Sequence, residues 1–191
     1  MSNCKCPIHR GTTPPTYPLG IRFADKLSIE PIKQHIAASI YEAHHSYMPD
    51  TPAVNLCHHG ILLDGCLVGA ITYRHPLISS LGDYSGESIV EVARICVGVD
   101  MPNLASAAFA QSQKKFIREY THQSGIELLI TFVREDYKGS MLRAVKGLGW
   151  ENDGLRETTQ PGNRDEKEIH DYDKDRWVRP LETDTTQATL T

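Results

Sequence analysis

Two strand–helix–strand units with an antiparallel hairpin between them predict an α/β protein, a mixed β-sheet flanked by helices. Three observations carry that reading. Apolar, β-branched runs at 60–63, 66–73, 89–99 and 127–133 are each bounded by turn residues, as strands are. Apolar residues recur at helical spacing over 29–44 and again through Ala105, Ala108, Phe109, Ser112, Phe116, Ile117 and Tyr120. Asp64-Gly65 sits between two strand-like runs, and that pair suits a tight hairpin turn in which both central residues need positive φ.

In chain order, residues 1–20 hold four of the eleven prolines and read as a loose N-terminal arm. The domain proper is expected over 21–181. It opens with a short strand at 21–28. A helix over 29–44 follows, with Ser28 as N-cap, Pro31 in the first turn and Ile32, Ile36, Ile40 and Ala43 on its buried stripe. After the hairpin comes a polar loop carrying Gly82 and Gly86. The run at 89–99 is apolar on both faces, which marks a central, doubly covered strand. The chain turns at Asp100-Met101-Pro102-Asn103 into the second helix, which Gly125 ends. The strand at 127–133 leads to a last helix over 138–150, with Met141, Leu142 and Val145 inward. One more strand is expected at 176–181, and 182–191 read as a C-terminal tail.

Composition narrows the class. The chain has 191 residues, 40% hydrophobic and 23% charged, which is ordinary for a folded domain. No apolar run approaches the length of a membrane span. The N-terminal stretch has no apolar core behind its positive charges, so it is not read as a secretory signal, and a cytoplasmic location is expected. Five cysteines do not make a disulfide framework, and Cys66 and Cys96 read as core residues. Cys4, Cys6 and His9, with Cys57, His58 and His59, are residue types that can bind zinc. Their spacing matches no standard site, so no metal is assigned. The net charge of −4 is uneven: residues 151–191 carry −5 and the rest +1. No basic stripe announces nucleic acid, although a local patch would suffice.

The candidate chemistry gathers around the central strand. The helix start behind it, Asn103 with the small residues Ala105 and Ser106, offers unpaired backbone N–H groups to an anion. The plainer alternative is an ordinary turn with an Asn cap. Arg94 lies on an otherwise apolar strand, where a guanidinium needs a partner or a ligand. Alternation puts Glu91 and Arg94 on opposite faces unless a bulge intervenes. Glu135 and Asp136 follow a strand at its carboxyl end, where ligands gather in open sheets, so either is a candidate base. His45 and Tyr47, at the end of the first long helix, are candidates for proton transfer or for stacking on a base.

The order of elements, the central strand and the small-residue helix start resemble the GNAT acyltransferase superfamily. There, the helix after the fourth strand cradles the pyrophosphate of coenzyme A. The glycine-rich Q/R-x-x-G-x-G/A loop of that superfamily is replaced here by residues 100–106. Within it, Glu91-Val92-Ala93-Arg94 followed by Asn103 and Ser106, the stretch LITFVREDYKGSMLRAVKGLGWENDG and the string AHHSY at 43–47 resemble the Mom-type phage DNA-modification proteins. The resemblance implies a GNAT-like mixed sheet and acetyl-CoA lying along Val97, Val99, Asn103, Ala105 and Ser106. It implies catalytic roles for Arg94, Asp136 or Glu135, and His45 or Tyr47. It also implies DNA as partner, with the exocyclic amine of adenine converted to an acetamido form that resists restriction. Lys114, Lys115, Arg134, Lys138, Arg143 and Lys146 would then meet phosphates. The competing expectations are a conventional N-acetyltransferase acting on a small amine or peptide, and a GNAT fold that binds without catalysis.

Overall fold

Seven strands form one mixed sheet in the order β1-β2-β3-β6-β7-β9-β8 in this computed structural model. The structure describes residues 23–45, 48–121, 125–137, 139–144, 148–156 and 173–181. The expected arm and tail lie outside them. The strands are β1 (Leu27–Pro31), β2 (Asn55–Leu63), β3 (Cys66–Arg74), β6 (Ile89–Val97), β7 (Leu128–Arg134), β8 (Glu151–Arg156) and β9 (Lys174–Pro180). A small separate hairpin, β4 (Ser80–Leu81) with β5 (Tyr84–Ser85), occupies the polar loop. The helices are α1 (Gln34–His44), α2 (Leu104–Phe116) and the short α3 (Ser140–Ala144).

The first strand and helix differ from expectation. Residues 23–26 form a 3-10 turn, and the strand is Leu27–Pro31, so Ser28 and Pro31 are strand residues rather than helix start residues. Leu27 and Ile29 alternate inward with period two and pair with Leu63 and Ile61. Ile32 continues that pairing, its N–H donating to His58 O at 2.9 Å. Ile29 and Ile32 happen to extend the helical spacing of Ile36 and Ile40 backwards, which disguised the boundary. Pro31 is tolerable because β1 is an edge strand.

The hairpin forms as its turn demands. Asp64 and Gly65 have φ 53° and 75°, and Lys26 Nζ holds Asp64 at 2.7 Å. β6 is central, antiparallel to β3 and parallel to β7. One face of the sheet packs on α2, burying Tyr73, Val90, Val92, Leu129, Phe109 and Phe116. On the opposite face α1 sets Ala37, Ile40 and Tyr41 against Ala70 and Cys96. Farther along that face Ile89, Leu128 and Ile130 pack with Ile78 and, from the small hairpin, Leu81 and Tyr84.

The C-terminal part holds one strand more than expected. β8, with all six residues exposed, pairs only with β9, and its polar sequence ENDGLR carries no hydrophobic period. The described helix after β7 spans five residues, with Leu142 buried and Met141 half-buried; Val145 lies outside the described residues. Cys96 is buried and free as expected, whereas Cys66 is half-buried at the head of β3 and takes part in a disulfide.

Candidate functional site

The sheet opens in its middle. β6 and β7 pair over only Ile89↔Leu128, Val90↔Leu129 and Glu91↔Ile130, although both strands continue. Beyond Glu91 no ladder joins them. Thr131 Oγ1 donates to Val92 O at 2.9 Å and closes the root of the gap. The strands are parallel and pair only at their amino ends, so the gap lies toward their carboxyl ends, where open α/β sheets take ligands. Buried residues at 89–92 give way to half-buried Ala93, Arg94 and Ile95, as a groove along the strand requires.

A bulge sits at the same place. Thr72 pairs with Arg94 and Tyr73 with Val92, so Ala93 is an extra residue on β6. That bulge answers the question left by alternation. Cross-strand partners share a face, Thr72 faces Arg94, and Arg74 faces Glu91, so Glu91 and Arg94 lie on one face, that of α1. Glu91 nevertheless pairs with Arg74, through bonds of 2.9 and 3.0 Å, and is 6% exposed. Arg94 donates from Nη1 to its own strand at Ala93 O, 2.7 Å away.

The end of α1 reaches this face. Tyr41 OH and His58 Nδ1 both meet Thr72 Oγ1, at 2.6 and 2.8 Å, which tethers α1 to β3. Burial raises the Tyr41 hydroxyl above its usual range, so it stays protonated. His45 Nδ1 accepts from Met48 N–H at 3.2 Å. Burial, then the Arg94 charge, push His45 down to about 4. It is therefore neutral at pH 7, with Nδ1 already engaged by Met48 N–H. His44 takes the other direction, its ring lying against Gly98 so closely that a Cβ there would stand 2.9 Å from it. Tyr47 lies outside the described residues.

Past the gap the backbone bends into α2. Gly98 N–H donates to Val68 O at 2.8 Å, and Asn103 takes a left-handed conformation with φ 64°. Asparagine tolerates that region better than other non-glycine residues. Its side chain makes no capping bond, so the ordinary Asn cap is not what forms. No acid lies in the first turn, and Ala105 and Ser106 are half-buried. Leu104 N–H donates back to Met101 O at 3.2 Å, and the amides of Ala105 and Ser106 are the ones an anion at this end would meet. Val97 is half-buried at the end of β6, while the Val99 side chain is in the α2-side core, which leaves only its backbone for a ligand.

Glu135 and Asp136 stand apart in character. They form an exposed 3-10 turn with Tyr137 after β7, and Arg134 clasps Asp136 through bonds of 3.0 and 2.6 Å. The sequence missed two residues of the α1 face. Arg74 closes β3 and Lys174 opens β9 opposite Arg134, and only strand pairing brings either to this face.

Among the described residues no group of His, Cys, Asp and Glu is arranged to hold a metal. Cys4, Cys6 and His9 lie outside them. His59 turns to the α2 face instead, where its Nδ1 meets Ser112 Oγ at 2.8 Å, and Ser112 also meets Tyr73 OH at 2.9 Å. No helix among the described residues is long and apolar enough to cross a membrane.

No protein-family model and no curated protein matches the chain. Solved structures do. The ribosomal-protein-S18-alanine N-acetyltransferase of Escherichia coli superimposes with a TM-score of 0.54 at 12% identity, covering 86% of this chain and 99% of that one. A GNAT family acetyltransferase from Elizabethkingia anophelis, crystallised with acetyl-CoA bound, gives 0.54 at 14% identity, covering 82% and 99%. The fold is that of the GNAT acetyltransferases.

Proposed function

We propose that this chain is an N-acetyltransferase that moves the acetyl group of acetyl-CoA onto a primary amine. The observation that carries the reading is the parting of β6 from β7 directly ahead of an uncapped α2 N-terminus. Those two features suit the two ends of such a donor. The gap, with its half-buried bulge at Ala93, admits a slender chain beside strand backbone. The amides of Asn103, Ala105 and Ser106, with small side chains at two of them, suit a pyrophosphate, while Leu104 N–H is taken by Met101 O at 3.2 Å. Gly98 keeps the turn between them narrow. The donor, when bound, supplies an activated acyl carbon and a thiolate leaving group.

The chain's own residues have the remaining work. In the transfer a C–N bond forms, a C–S bond breaks, the amine loses a proton and the sulfur gains one. Strand backbone beyond Val92, free of a ladder partner on the β7 side, is placed to donate to the developing oxyanion. Arg94, half-buried beside the gap, orients what lies there and favours negative charge. Glu91 is locked by Arg74, so it shapes the field at the root of the gap.

Modification of a DNA base rests on the resemblance alone and is the weaker reading. Of the cations it needs on the surface, Lys115 pairs with Glu119, Arg134 pairs with Asp136, and Arg143 lies over Trp177. Lys138 and Lys146 lie outside the described residues. The test is release of CoA thiol from acetyl-CoA with a panel of amines, peptides and oligonucleotides, and mass spectrometry of the product. An acetylated amine or peptide supports the proposal. Modification of the oligonucleotide alone restores the DNA reading, and no transfer to any acceptor favours a binding protein.

A further inference from the structure

α1 runs beside β6 in step with it. Cys96 Sγ donates to Ile40 O at 4.0 Å, and one turn farther on His44 lies over Gly98. Four helical residues rise about 6 Å and two strand residues about 6.6 Å, so the second contact repeats the first. A Cβ at Gly98 would stand 2.9 Å from His44 Cδ2 and 3.1 Å from both Cγ and Nε2, so only glycine admits the ring there. Gly98 is also the first residue after β6, where the backbone leaves the gap and bends toward α2. Its N–H is given to Val68 O on the β3 side, which leaves the β7 side to a ligand. At this point His44 Nε2 is buried and meets no hydrogen-bond partner among the described residues. A buried polar atom without a partner destabilises a fold. One kept beside a ligand's path points to a partner that the ligand brings.

We propose, on the acetyl-CoA reading above, that His44 is a cofactor-binding residue whose Nε2 meets a polar group of the pantetheine arm. The arm joins the acetyl thioester to the diphosphate. With the first in the gap and the second at α2, it passes Gly98. Its amides and hydroxyl need partners once they leave water. An amide offers both N–H and C=O, so either tautomer of the imidazole is served. His44 holds the arm in place and has no part in the bond changes. A side chain from α1 thus supplements a turn that lacks the glycine-rich loop of the superfamily.

The test uses the full chain, as wild type, His44→Phe and His44→Gln. Calorimetry gives the affinity for acetyl-CoA and for 3′-phospho-ADP, its nucleotide portion without the arm. The melting temperature of each free protein reports the fold. His44→Phe keeps an aromatic ring over Gly98 and removes the unmet nitrogen, so the free variant should melt at or above the wild-type temperature. Acetyl-CoA should bind it about three- to tenfold more weakly, the worth of one hydrogen bond. The nucleotide alone should bind it as it binds the wild type. His44→Gln, which keeps a side-chain donor and acceptor, should recover most of the acetyl-CoA affinity. Undiminished acetyl-CoA affinity in His44→Phe overturns the proposal and leaves the acetyl-CoA reading standing. Equal loss for the nucleotide alone overturns it as well: with an unchanged melting temperature the contact is to the nucleotide, and with a lowered one His44 is structural. Absence of acetyl-CoA binding in the wild type sinks the reading beneath the proposal, and the proposal with it.

Discussion

Arg94 and Glu91 are close in sequence and share a face, yet they differ in what their loss should do. Glu91 is 6% exposed and holds Arg74 bidentately, so Glu91→Gln leaves a guanidinium without its counter-charge and should cost about 3 kcal/mol of stability. Arg94 is half-buried and bonds its own strand, so Arg94→Ala should abolish transfer while the melting temperature falls little. Thermal melts beside thiol release decide this. A precipitating Arg94→Ala variant would make the residue structural. The histidines set a second expectation. Burial pushes His59 down to about 4, against an ordinary value of about 6.5. Above pH 6.5 both folded and unfolded chains hold it neutral. Below that the unfolded chain takes up a proton that the folded chain refuses, so stability falls as pH drops from 6.5 toward 4. Melting temperatures over that range should decline less steeply in His59→Gln. An unchanged slope would assign the acid sensitivity elsewhere. Arg94 and His45 were visible in the sequence as polar residues in apolar or terminal settings. Their surroundings were not, because the bulge at Ala93 and the pairing of β6 with β3 decide which side chains meet.

At the level of elements, the α2 N-terminus separates fold from function. Ser106 is the third helical residue after Asn103, where an acid favours the helix through its dipole. Ser106→Glu should therefore leave stability equal or slightly higher. The same charge repels a pyrophosphate and should weaken acetyl-CoA binding about tenfold or more. Equal affinity in the variant would move the donor away from α2. Elements with a strong local signal were legible: the Asp64-Gly65 hairpin, the two-faced β6, and the stripe of α2 through Phe109 and Phe116. The β1–α1 boundary was not, since Ile29 and Ile32 mimic a helical period. β8 was not either, because an exposed edge strand has no apolar face to announce it. The gap between β6 and β7 is invisible to any local pattern, as it arises where two adequate strands stop pairing.

Across the whole molecule, charge argues between acceptors. The chain carries a net −4, and Lys115 and Arg134 of the supposed phosphate-binding set are engaged by Glu119 and Asp136. Binding to duplex or single-stranded DNA should accordingly be weak even at low salt. A tight complex whose affinity falls steeply as salt rises would contradict that and return DNA to the account. The fold as a whole was readable because its strand–helix order survives boundary errors of a few residues. The charged set on the α1 face was not, because Arg74, Glu91, Arg94 and Lys174 come from β3, β6 and β9, which only the assembled sheet brings together. The central claim is that the gap and the α2 N-terminus together hold acetyl-CoA. Calorimetric titration of the full chain with acetyl-CoA tests it most directly. The account predicts one-to-one binding in the micromolar to millimolar range usual for enzyme substrates, weakened in Ser106→Glu. No heat of binding at about millimolar acetyl-CoA, well above the usual range, would contradict it.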